Sequence, residues 1–124
     1  MSGLCMVSRN SQESEKGINL CGNACVICGW NKKDYNGRLL VEGAHVRPLK
    51  NKKDYDKYDN IIALCPNHHT EFECGNIAID YSKRICLHRD IEEEYHNKTI
   101  FGKIDHIQAG YFDFHMKNIF KAKF

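Results

Sequence analysis

VEGAHVRPLKNKKDYDKYDNIIALCPNHHTEFECG, residues 41–75, is the stretch whose reading decides the fold of this chain. Upstream, Asn36-Gly37 is a strong turn signal, and Arg38 to Val46 then reads as a strand of β-branched and aliphatic residues. Pro48 ends that strand because it has no N–H to give a ladder. Leu49 to Asp59 is a charged loop, and Asn60 to Leu64 a brief apolar run. Pro66 to Cys74 reads as a helix, with Pro at an early helical position and Gly75 as its stop. His45 therefore falls at a strand end, Asn60 at the head of the apolar run, and His69 on the helix.

The same stretch holds half of a metal site. Zinc takes thiolate and imidazole in a tetrahedron, commonly as two short-spaced pairs from separate parts of the chain. Cys25-Val26-Ile27-Cys28, closed by Gly29, is one such pair, and Cys65-Pro66-Asn67-His68 is the other. The competing readings are buried, unligated thiols and a redox Cys-x-x-Cys. A redox pair normally follows a strand at a helix start, whereas the segment before Cys25 is rich in Gly and Asn. Cys21 could replace Cys25 or Cys28 in the set. Cys5, Cys21, Cys74 and Cys86 complete no second four-ligand group at usual spacings.

His45, Asn60 and His69 suit a second chemistry. Hydrolysis of a phosphodiester needs an activated water, a cation on the phosphate and a rigid frame. An imidazole at a strand end, held by the Val-Arg-Pro that follows, suits a general base near neutral pH. His69 follows the proposed zinc ligand His68, so zinc would anchor the backbone that aims it. Glu73 lies one helical turn on, giving a mixed nitrogen and oxygen site for Mg²⁺, Mn²⁺ or a similar divalent ion. Asn60 suits an orienting role, pinning the loop behind His45. Singly, each has a plainer reading: His45 as a structural histidine, His69 as a zinc ligand in place of His68, Asn60 as a turn residue. The joint spacing favours the catalytic set.

With those residues in place, the segment resembles the HNH nuclease family, whose ββα-metal motif carries a strand-end His, a middle Asn and a helical His. GAHVRP, DNIIALCPNHH and TEFECG are similar to the branch with an AH-I/V-x-P strand end and LCPNHH, which includes restriction-type and other bacterial defence nucleases. The resemblance spans about Cys25 to Leu87. It implies a small α+β, zinc-stabilised ββα-metal nuclease domain with flanking helices. It further implies a metal-dependent endonuclease acting on DNA, with His45 as general base, Asn60 as orienting residue and His69 as ligand of the catalytic cation. Many members carry Asp or His immediately before the base as a second metal ligand, and here that position is Ala44. Glu73 from the helix is the preferred substitute and Glu42 from the strand the alternative. Strand alternation puts Glu42 on the side of Ala44, opposite His45.

Bulk properties narrow the rest. At 124 residues the chain is one domain with a modest core that a structural metal would reinforce. Seven cysteines is an odd number and no export signal or membrane-length apolar run is visible, so metal ligation in a cytoplasmic protein is expected over disulfides. Net charge is only +2, but Trp30 to Tyr58 carries eight Lys and Arg against four acids. Arg47, Lys50, Lys52, Lys53 and Lys57 flank the proposed base and suit contacts to backbone phosphates.

Residues 1–20 are expected to be an arm or a short helix, residues 21–90 the nuclease core, and residues 91–124 a C-terminal helical segment on the core or on a partner. Within the last, Lys103 to Lys121 is expected to be helical, and Ile77–Ile79 with Ile85–Leu87 to form a hairpin. DNA is the expected partner, with a homodimer or a fused or associated recognition domain as further expectations and no membrane association. A non-catalytic, zinc-bound nucleic-acid-binding module is the alternative reading, and a zinc knuckle for protein interaction a third.

Overall fold

The computed structural model describes residues 11–50 and 53–122, without the side chain of Lys53. Helix α1 (Ser11–Cys21) precedes strand β1 (Glu42–His45), strand β2 (Ile61–Leu64) and helix α2 (Pro66–Cys74). Strands β3 (Ile77–Asp80), β4 (Ile85–His88) and β5 (Lys98–Thr99) follow, and helix α3 (Ala109–Asn118) closes the described chain. β1 and β2 pair antiparallel with His45 opposite Ile61 and Glu42 opposite Leu64. β3, β4 and β5 make a second antiparallel sheet in sequence order. No helix among the described residues is long and apolar enough to cross a membrane.

β2 is short but buried at all four positions, as its unbroken Ile-Ile-Ala-Leu composition requires. It is covered on both faces. α1 lies across β1 and β2, and the approach is close enough that small residues are needed. A Cβ on Gly17 would overlap the Ile61 side chain, and one on Gly43 would overlap the Ser14 hydroxyl. α2 covers the other face, burying Phe72 completely. Its bounds are those its local signals dictate: Cys65 caps the start, Pro66 occupies the first turn, and Gly75 at φ +90° ends it in the left-handed region.

α3 packs on β3, with Phe112 buried against Tyr81. It also ends α2. The ring of His115 stacks on Phe72 with centroids 3.8 Å apart, and its Nε2 donates to the Phe72 carbonyl at 2.9 Å. That carbonyl lies in the last turn of α2, where the helix offers no partner of its own.

Two elements are shorter than their sequence patterns suggest. The strand expected over Arg38–Val46 is regular only from Glu42, because Leu39 instead bridges back to Lys33 in a separate small hairpin. The helix expected from Lys103 begins at Ala109. Ile104 and Ile107 are buried from a turn, and their three-residue spacing imitates a helical face.

Candidate active site and metal centre

The Cys-x-x-Cys knuckle is a closed turn: the Gly29 N–H donates to the Cys25 carbonyl at 2.8 Å, and the Cys25 N–H to the Trp30 carbonyl at 2.8 Å. Residues 98–102 return to it, with the Phe101 N–H on the Val26 carbonyl at 2.6 Å. Cys65 and His68 come from the start of α2, where the Cys65 sulfur accepts the His68 N–H at 3.4 Å. The sulfur thus caps the helix while facing the cluster, and burial, only partly offset by that N–H contact, pushes its thiol up.

Among the described residues, Cys25, Cys28, Cys65 and His68 are the group whose ligand atoms converge, all within 4.8 Å of one another. The individual separations match a tetrahedron. His68 Nδ1 is 3.6 Å from Cys25 Sγ and 3.4 Å from Cys65 Sγ, and Cys28 Sγ is 4.0 Å from Cys65 Sγ. Ordinary zinc bond lengths give S···N edges of about 3.5 Å and S···S edges of about 3.8 Å. Three thiols and an imidazole at those spacings could hold zinc, and four protein ligands make a closed, structural site.

Burial pushes the Cys25, Cys28 and Cys65 thiols up, which is unfavourable for ligation until a cation supplies the opposite charge. Cys21 stands apart: its sulfur accepts the Ala63 N–H at 3.4 Å, and burial pushes its thiol up to about 11. It does not substitute in the cluster. The His68 ring meets Tyr95 edge-on, with centroids 5.0 Å apart.

Asn60 is fully buried at the head of β2. Its Oδ1 accepts the Arg47 N–H at 2.8 Å, and its Nδ2 donates to the carbonyls of Arg47 and Tyr55, both at 2.9 Å. One amide therefore closes the loop between β1 and β2 upon itself, two residues from His45. The His45 Nε2 donates to Asp56 Oδ1 at 2.9 Å, with both side chains largely shielded from solvent. Asp56 reads in the sequence as one more charge in a charged loop. Its only prior signal is a position four residues before Asn60, inside the segment that the amide closes.

His69 projects from α2 toward the edge of β1. Its Nδ1 pairs with Glu42 Oε1 at 2.7 Å and its Nε2 with Glu73 Oε2 at 3.0 Å. Both carboxylates named as substitutes at Ala44 thus reach the same ring, on opposite nitrogens. Burial alone would lower the His69 pKa, but the hydrogen bonds and charges of Glu73 and Glu42 outweigh it and hold it raised. Ala44 itself is fully buried. The set fits a divalent ion in donor type, a ring nitrogen with two carboxylates.

A second pairing braces α2 from behind. His88 accepts the Asp90 N–H on Nδ1 at 2.9 Å and donates from Nε2 to Glu71 at 3.1 Å, tying β4 to the helix. Neither His88 nor Glu71 carries a recognisable motif. Of the expected phosphate contacts, Arg47 is held with its guanidinium over Tyr55 at 4.7 Å and over Phe114 at 4.0 Å. Lys50 and Lys57 are in the described loop. Lys52 and the side chain of Lys53 lie outside the described residues.

The model of the HNH endonuclease family matches residues 25–80, the span from the first zinc-type ligand to the end of β3. Among solved structures, one titled modification dependent TagI restriction endonuclease superposes with a TM-score of 0.67 at 22% identity. The match covers 93% of this chain and 40% of that one. Among curated proteins none matches in sequence. The Cys₃His cluster, the paired strands and the helix bearing His69 all lie in the span of residues 25–80 that matches the HNH endonuclease family.

Proposed function

We propose that the chain is a divalent-metal-dependent endonuclease that hydrolyses DNA phosphodiester bonds. The observation that carries this reading is the arrangement around β1: His45 paired with Asp56 at one strand end, and His69 held between Glu42 and Glu73 near the other. A carboxylate on a histidine fixes the ring and stabilises the imidazolium that forms as it takes a proton. His45 is accordingly the general base for the attacking water, with Asp56 as the residue that positions it. Asn60 acts through the backbone, holding Arg47 and Tyr55 so that the loop carrying Asp56 stays against His45.

His69 and Glu73 would hold the catalytic cation, and Glu42 completes the anionic surround. Such an ion, when bound, neutralises charge on the phosphate and stabilises the leaving oxygen. Cys25, Cys28, Cys65 and His68 hold a structural zinc, which fixes the start of α2 and with it the direction of His69. Arg47, Lys50, Lys52, Lys53 and Lys57 supply phosphate contacts from the intervening loop.

The relative is a restriction endonuclease by title, which favours DNA as substrate. Because the chain spans 40% of that relative, a fused or associated recognition domain is part of the reading, as is pairing of two copies where both strands are cut. The test is incubation of supercoiled plasmid with the zinc-loaded protein, with and without Mg²⁺, Mn²⁺ or Ni²⁺. Nicked or linear product only with added ion, abolished in His69→Ala, supports the reading. Intact plasmid with every ion, while the protein still shifts DNA in a gel, would favour a non-catalytic binding module instead.

A further inference from the structure

Residues 31–40 leave the zinc knuckle as a small hairpin and feed directly into β1. Lys33 bridges Leu39, the Leu40 N–H donates to the Lys32 carbonyl at 2.9 Å, and the Asp34 N–H to the Arg38 carbonyl at 2.9 Å. Its tip is built rather than loose. Asp34 Oδ1 accepts the N–H groups of both Asn36 and Arg38, at 2.8 and 2.9 Å, and the Gly37 N–H closes on the Asp34 carbonyl at 3.0 Å. On that fixed turn stands Tyr35, 96% exposed. Lys32, Lys33 and Arg38 are exposed around it, and the one acid of the hairpin is occupied in making the turn.

A single exposed apolar residue is unremarkable in a soluble protein. Here three features coincide: a rigid mount, an aromatic ring with almost no protein contact, and three cations flanking it. Tyr35 is also only seven residues from Glu42, so it stands no more than about 25 Å from the strand bearing the proposed site. That is less than one turn of duplex DNA, about 34 Å.

We propose that this hairpin is a DNA-contacting finger: Lys32, Lys33 and Arg38 neutralise backbone phosphates while the Tyr35 ring packs on an unpaired base. The proposal rests on the nuclease reading for its choice of polyanion, but its residues are separate from the catalytic set and from the loop of residues 47–57. Ring-on-base packing is tolerant of sequence and requires the aromatic face, not the hydroxyl. The cations add the salt-dependent, sequence-independent share of binding.

The test is fluorescence-anisotropy binding of duplex DNA with a single-stranded overhang by the zinc-loaded chain across a salt series, without added catalytic ion. Tyr35→Ala should weaken binding roughly ten-fold, and Tyr35→Phe should restore it. Arg38→Ala should reduce the slope of log affinity against log salt by about 1. None of these residues is buried, so the variants fold, and circular dichroism with zinc content checks that. Unchanged affinity in Tyr35→Ala and an unchanged slope in Arg38→Ala would overturn the proposal. Plasmid cleavage in parallel separates the two readings. Cleavage without a Tyr35 effect retains the nuclease and removes the finger; a Tyr35 effect without cleavage does the reverse.

Discussion

His45 and Asp56, eleven positions apart in sequence, are joined by a 2.9 Å hydrogen bond, and the loop between them is held shut by a third residue, Asn60. The relationship gives the strand-end histidine a partner that no motif announces. A largely shielded histidine paired to a carboxylate has one orientation rather than several, which general-base catalysis requires.

Asp56→Asn keeps the shape of the side chain and removes its charge. On the proposed mechanism it should slow single-turnover cleavage by about a hundred-fold while leaving DNA affinity unchanged. Rapid-quench cleavage with a parallel binding curve reads both. A variant that cleaves at the wild-type rate would remove Asp56 from the mechanism.

Asn60→Ala leaves the Arg47 N–H and the Arg47 and Tyr55 carbonyls without the partners they have now. Each buried group abandoned in this way costs about 1–3 kcal/mol, so a loss of roughly 3 kcal/mol or more is expected from urea denaturation. Asn60→Asp should be less damaging to the Arg47 N–H contact but should still lose both carbonyl contacts.

Zinc should be present at one ion per chain by elemental analysis. Its removal with a strong chelator should abolish cooperative unfolding, because the ion would tie the knuckle to the start of α2 and a small domain has little else to replace it. Cys28→Ser, at the most exposed of the three cysteines, should weaken zinc retention, whereas Cys21→Ser should leave zinc content unchanged.

His115 predicts a pH dependence of stability with a definite sign. Burial lowers its pKa to about 4, from the 6.5 it would have when unfolded. Its Nδ1 is buried with no hydrogen-bond partner, so a second proton on the ring would be stranded. The unfolded chain therefore binds a proton that the folded chain refuses. The contribution is complete above pH 6.5 and is lost as pH falls toward 4, by about 3 kcal/mol in total. In a denaturant series, the stability gap between wild type and His115→Gln should narrow across that window. A gap that is independent of pH would contradict the assignment.

What the sequence discloses and what it conceals divide along physical lines. α2 is legible residue for residue because its ends are set locally, by Pro66 and by a left-handed Gly75. The Cys₃His cluster is legible because tetrahedral ligation imposes short paired spacings. Asn60 as a loop clasp follows from its place between loop and apolar run. The short helix expected within residues 1–20 is present as α1, but its docking is concealed because it depends on Gly17 and Gly43 having no side chain, which no hydrophobic pattern reports.

Asp56, His88 and His115 are concealed for a related reason: each matters through one long-range partner, His45, Glu71 or the Phe72 carbonyl. Glu73 and Glu42 are the two carboxylates the sequence offers in place of a ligand at Ala44, and the fold brings both to His69. Ala44 is too deeply buried to take a carboxylate without a cation or another partner to meet it.

The most direct test of the account is cleavage of supercoiled plasmid by wild type and His45→Ala, each shown to retain zinc, at saturating Mg²⁺ or Mn²⁺. The account predicts ion-dependent nicking or linearisation by wild type, and a loss of at least a hundred-fold in His45→Ala with DNA binding intact. Equal cleavage by both proteins would contradict His45 as the base and send the search for the water-activating group elsewhere on the domain.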